Sequence, residues 1–326
     1  MPYPQISLEQ LPQGSSVTFN DSSFFNRGPD TPTLPTPAEV LARGGLEPHP
    51  KVEGMMIRRP AVFKDLGLLV KFGEAPRVTI AEGQCLWAVR HLLPEVPVPE
   101  IYGWTQENDY TFLYVEFIDG VTLNDRWGDL SPTEKDGVCE QLKTIVTHVH
   151  RLRQAPGDQF IGSYPLILVD ASRINQPLGN INRGPLGDLV FTTTNLPPAG
   201  PFSSATELHD WMSEMRLSAA KAFRPDLDPA DFPDPYREML PDDSPVTFTH
   251  ADLNPVNIMV SKESPYRVIA IIDWEQCGWY PAYWEFCKAE FSTELNSDWQ
   301  VEYLPRVLNE PESTDGFNSY VGIFAP

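Results

Sequence analysis

The sequence predicts an α+β chain of two parts, a small sheet carrying one helix and then a larger, mainly helical part. Three observations lead there. Short apolar runs bounded by Pro, Gly or charged residues recur between residues 67 and 118, one helix-period stretch separates the first two of them, and well-capped helix starts follow at Ser131 and Ser204.

Taken in order, residues 1–50 are rich in Pro, Ser and Thr and show little periodicity beyond a short run at 38–42, so they are expected to form a loosely ordered N-terminal extension. Residues 51–118 form the first lobe. Its apolar runs at 67–72, 96–103 and 112–118 read as strands, and 81–93 reads as the helix between the first two. The second lobe spans 119–326. It opens with Ser131-Pro132-Thr133-Glu134, where a capping Ser, Pro at the first helical position and Glu three residues after the cap satisfy the free amides of a helix start. Val138, Leu142, Ile145, Val146 and Val149 then share one face. A second capped helix starts near Ser204, with Leu208, Trp211, Met212 and Met215 as its stripe. Six prolines between 224 and 245 exclude a continuous helix there.

With 326 residues the chain is long enough for one enzyme of two lobes. Acidic residues number 45 against 24 Lys plus Arg, a net charge of −21 that repels phosphate backbones and anionic lipid surfaces, so neither nucleic acid nor membrane is an expected partner. The same field suits a cationic small molecule, although an acidic surface that keeps the protein soluble explains the charge as well. The four cysteines, Cys85, Cys139, Cys277 and Cys287, are widely spaced with no C-x-x-C pair. Reduced thiols in a cytoplasmic protein are the simplest reading, and no apolar stretch approaches the roughly 18 residues of a spanning helix.

The chemistry is concentrated near the end of the chain. Residues 246–249 read as a strand that opens into His250-Ala251-Asp252-Leu253-Asn254-Pro255-Val256-Asn257, and the apolar run at 268–272 delivers Asp273 just before Trp274-Glu275. Phosphoryl transfer needs such groups, because its transition state spreads negative charge and is stabilised chiefly by positioning and electrostatics. One carboxylate and one amide oxygen can hold Mg²⁺, and a second carboxylate can orient an acceptor hydroxyl. Asp273 with Asn257, and Asp252, fit those roles. Asp252 and Asn257 alone would also fit an ordinary turn and cap, and His250 alone a structural histidine.

The pattern H-x-D-x-x-x-x-N at His250, Asp252 and Asn257, followed by I-D-W-E at residues 272–275, resembles the aminoglycoside phosphotransferase family, particularly its fungal members. The resemblance implies the bilobal protein-kinase-like fold, with an antiparallel sheet in the first lobe. It also implies Asp252 as the catalytic base, Asn257 and Asp273 as Mg²⁺ ligands, and His250 as architectural. Leu69-Val70-Lys71-Phe72-Gly73 is similar to the family's strand bearing the ATP-phosphate lysine, and Glu82 to its helix glutamate, which implies a Lys71–Glu82 ion pair aimed at the α- and β-phosphates. Residues 96–103 resemble the family's V-P-V-P-x-V-Y-G strand, and 115–120 its hinge, implying adenine bonded to the backbone of Glu116 and Ile118.

Two departures stand out. No G-x-G-x-x-G precedes Lys71, and the corresponding stretch has the one glycine Gly54. Little chain follows Asp273 and no A-P-E is present, which favours a small-molecule hydroxyl over a protein acceptor. The expected function is thus an ATP- and Mg²⁺-dependent small-molecule kinase. A nucleotide-binding pseudokinase scaffold and a metal-dependent hydrolase using His250, Asp252 and Asp273 are the alternatives. The aromatics around 274–291 fit packing better than a pocket lining, and Glu285 and Glu290 could bind a substrate ammonium, but neither group is counted in the expected site.

Overall fold

The strand Leu68–Glu74, which carries Lys71, lies in a five-stranded antiparallel sheet. The order across that sheet is Ser16–Thr18, Ile101–Glu107, Tyr110–Glu116, Leu68–Glu74, Ala61–Phe63. These elements come from a computed structural model that describes residues 3–28, 31–48, 56–156, 177–192 and 196–324. Gly54 lies outside the described residues, as does part of the long irregular stretch after Arg153.

The expected strand at 96–103 begins later, as Ile101–Glu107. Pro97 and Pro99 lack the N–H that a ladder requires, so regular pairing starts only beyond them. Helix Ile80–Leu92 follows Thr79 and buries Cys85, Leu86, Ala88 and Val89. It comes very close to the sheet at Gly83, where a Cβ would stand 2.9 Å from the Trp104 ring. Any side chain at that position would push the helix, and Glu82 with it, off its seat.

From Glu9 on, the described residues of the N-terminal stretch are built into this unit rather than hanging loosely from it. Ser16–Thr18 pairs with Ile101–Glu107, and Phe24 and Val40 are fully buried with Val70, Phe72, Tyr102 and Phe112. Helix Pro37–Arg43 is closed by a capping box between Thr36 and Glu39. Burying Phe24 and Val40 contributes about 2 kcal/mol each to holding a proline-rich chain that supplies few helical or ladder bonds of its own.

The chain divides into two compact units, neither continuous in sequence. One joins Glu9–Gly128 to Val256–Glu275, so the sheet shares its unit with the strands Ile258–Val260 and Val268–Ile271. Ile258–Val260 lies between Val268–Ile271 and Val121–Thr122 in a small antiparallel sheet of its own.

The other unit joins Met1–Leu8, Asp129–Pro255 and Gln276–Pro326. Its helices include Pro132–Val149, which begins with the expected capping box at Ser131, and Ala205–Phe223, capped by Ser204. Leu208, Met212, Trp284, Phe317 and Tyr320 meet in its core. Strands Val246–Thr249 and Gly278–Pro281 pair antiparallel there. No helix of the described residues is long and apolar enough to cross a membrane.

Candidate active site

In the sheet unit, Lys71 stands opposite Leu113 in the ladder, and its ammonium meets three carboxylates. Glu82 lies 3.0 Å away and Glu275 2.8 Å away, and Asp273 also accepts a hydrogen bond from Lys71 Nζ. The three carboxylates offer oxygens within 4.8 Å of one another. Burial alone would lower the Lys71 pKa, but the charges of Glu82, Asp273 and Glu275 outweigh it and raise it well above its ordinary value. Burial pushes Glu82 up to about 8 against the pull of Lys71, and the other two carboxylates add to the rise. Glu275 is raised for the same reasons. Three carboxylates around one ammonium leave an excess of negative charge.

Local folding brings these groups together. Ile258 pairs with Ile271, so Asn257 and Asp273 emerge at the neighbouring ends of two adjacent strands, and the Ile272 N–H donates to the Asn257 carbonyl at 2.9 Å. Asp273 has φ of +66°, a left-handed conformation that costs a non-glycine residue roughly 1 kcal/mol. Trp274 holds the chain in that bend. It is fully buried, and its indole N–H donates to the Ile271 carbonyl at 2.9 Å.

Asp252 belongs to the helical unit, on the loop that leaves Val246–Thr249. Its backbone N–H donates to His250 Nδ1 at 3.2 Å, so this nitrogen is the acceptor. Asn254 Nδ2 donates to Asp252 Oδ1 at 3.1 Å and orients the carboxylate. Ala251 has φ of +64°, so this loop also bends through a left-handed residue.

Glu285, left outside the expected site, supports the loop that carries Asp252. It is buried rather than offered to a substrate, and its carboxylate accepts the N–H groups of His250 at 2.8 Å and Ala251 at 3.0 Å. Burial raises its pKa to about 7 against those two bonds. The helix that carries it, Trp284–Phe291, is fixed by Asp188, whose carboxylate accepts Trp284 Nε1 at 2.8 Å and Lys288 Nζ at 2.9 Å. Of the aromatic run, Trp274, Trp279, Tyr280, Tyr283, Trp284 and Phe286 are packing residues, whereas Phe291 is exposed.

The Glu116 N–H donates to the Glu100 carbonyl at 2.8 Å and its side chain accepts the Glu100 N–H at 3.1 Å. The Ile118 carbonyl accepts the Gly120 N–H at 3.0 Å, and no described residue accepts the Ile118 N–H.

A strand lysine paired with a helix glutamate, and met by an aspartate at the end of a strand in a second small sheet of the same unit, is the arrangement expected of a protein-kinase-like fold. The chain belongs to the phosphotransferase enzyme family, whose sequence profile matches residues 69–316. An aminoglycoside phosphotransferase of Streptomyces rimosus is similar in structure at 15% identity, with 86% of this chain and 92% of that one covered and a TM-score of 0.41. Its complex with ADP and streptomycin gives 16% identity at the same coverage and TM-score. An aminoglycoside-3'-phosphotransferase of type VIII is similar at 15% identity, covering 86% of each chain, with a TM-score of 0.41. No curated protein matches the sequence.

Proposed function

We propose that this phosphotransferase uses ATP and transfers the γ-phosphoryl group to a hydroxyl of a small molecule. The observation that carries the reading is the meeting of Lys71, Glu82 and Asp273 at one point, in a chain of this family.

Lys71, held by Glu82, presents its ammonium to the α- and β-phosphates, where a positive charge offsets the charge that develops on transfer. Adenine hydrogen-bonds the hinge through the Glu116 carbonyl and the Ile118 N–H, the latter being without an acceptor among the described residues. Asp252, oriented by Asn254, accepts a hydrogen bond from the acceptor hydroxyl. It takes that proton as the hydroxyl oxygen bonds to the γ-phosphorus, the bond to the bridging oxygen breaks and ADP departs.

The donor set fits Mg²⁺. Asp273 and Asn257 supply hard oxygen ligands from adjacent strand ends, and the excess negative charge around Lys71 favours a divalent cation. When bound, Mg²⁺ neutralises phosphate charge during transfer. An acidic chain of net charge −21 suits a cationic acceptor. The cysteines resolved in the fold are buried free thiols, as suits a cytoplasmic enzyme.

The test is turnover of ATP against a panel of hydroxylated, mainly cationic small molecules, repeated on Asp252→Asn. Loss of a general base costs about 10²–10⁴-fold in turnover, and nucleotide binding should survive. Turnover near that of wild type in Asp252→Asn would remove Asp252 from its role.

A further inference from the structure

Of the three carboxylates on Lys71, only Glu82 and Asp273 have a place in the reading above, yet Glu275 makes the closer contact, 2.8 Å against 3.0 Å for Glu82. The two glutamates reach the ammonium from different elements. Glu82 rides on helix Ile80–Leu92, and Glu275 sits on the turn Trp274–Gln276, anchored through the buried Trp274 to the strand that delivers Asp273.

We propose that Glu275 is a positioning residue for Lys71, holding the ammonium jointly with Glu82 and keeping it aligned for nucleotide phosphates. The inference rests on the nucleotide-dependent reading of this site. An ammonium has three N–H donors, and here each has a carboxylate partner. A phosphate oxygen needs one of them. Were Asp273 to hold a cation, its donor would be free for the nucleotide, while Glu82 and Glu275 would retain the other two. A lysine on a flexible four-carbon stem held by one partner alone would lose more of its rotamer entropy on binding phosphate. The Glu82, Asp273 and Glu275 oxygens lie within 4.8 Å of one another around their shared ammonium.

The experiment uses the full chain in two measurements. In the first, calorimetric titration with Mg·ATP compares wild type, Glu275→Gln, Glu82→Gln and the double variant. Each single change should weaken binding about fivefold and the double change about a hundredfold, and Glu275→Gln should add nothing in a Lys71→Ala background. In the second, without nucleotide, the rate at which acetic anhydride acylates Lys71 is followed by mass spectrometry. Glu275→Gln should raise that rate severalfold. An unchanged acylation rate in Glu275→Gln overturns the proposal. So does an effect on Mg·ATP affinity that persists without Lys71 and appears as a raised Mg²⁺ requirement, because Glu275 would then act on the metal. If wild type fails to bind Mg·ATP the kinase reading falls, and the acylation rate still decides whether Glu275 holds the lysine.

Discussion

The Glu285 carboxylate accepts a hydrogen bond of 2.8 Å from the backbone N–H of His250, two residues ahead of Asp252. With the second bond, to Ala251, it satisfies consecutive amides of a loop that is otherwise bent through a left-handed alanine. Replacing the carboxylate by an amide leaves one backbone N–H facing an NH2 donor instead of an acceptor in a buried place. Glu285→Gln should therefore lower kcat about 10- to 100-fold while the Kd for Mg·ATP stays within about twofold, because positioning of the base and not nucleotide binding is disturbed. Steady-state turnover with parallel calorimetry checks the split.

Asp188 and Lys288 form a buried ion pair at 2.9 Å, supplemented by Trp284 Nε1 on the aspartate and Gln276 on the lysine. Breaking one side of such a pair leaves an uncompensated buried charge and costs about 3–5 kcal/mol. Lys288→Met should lose stability on that scale. The double change Asp188→Asn with Lys288→Met should recover most of it, as read by urea unfolding.

His150 closes helix Pro132–Val149, and burial, followed by the charge of Arg153, holds its pKa down at about 4 against an ordinary 6.5. The folded protein keeps this imidazole neutral while the unfolded chain protonates it. Between those two values the unfolded state binds more protons. The contribution is therefore present in full above the unfolded value of 6.5 and is lost as pH falls toward 4. Wild type should lose about 2 kcal/mol more than His150→Gln between roughly pH 6.5 and 4.5. Denaturant midpoints at the two pH values give the comparison.

Much of this arrangement was legible in the sequence because it is local. The capping box at Ser131 and Glu134 is a four-residue pattern, and the chain forms it. Lys71 and Glu82 are separated by a turn and the start of one helix, and they meet. What was not legible depends on burial and long-range pairing. Nothing in the residue type of Glu285 says that it will be enclosed and turned toward a backbone rather than toward solvent. Glu275 was visible as part of a motif, but its bond to a lysine on a distant strand is set by how the sheet unit packs. The N-terminal stretch lacked periodicity because it is tied down by separate contacts. Gly103 is one of them: a Cβ there would stand 2.5 Å from the Val17 carbonyl, so its bareness admits the edge strand. The late start of Ile101–Glu107 follows from two prolines whose effect is to delay pairing, not to prevent it.

The central claim is that Lys71 and Asp273 belong to a site for ATP with Mg²⁺. It is tested most directly by calorimetric titration of the purified protein with ATP, with and without Mg²⁺, repeated on Asp273→Ala. Wild type should show saturable ATP binding that strengthens with Mg²⁺, and Asp273→Ala should lose that Mg²⁺ dependence. Absence of ATP binding under every condition, or Mg²⁺-strengthened binding that survives in Asp273→Ala, would contradict it.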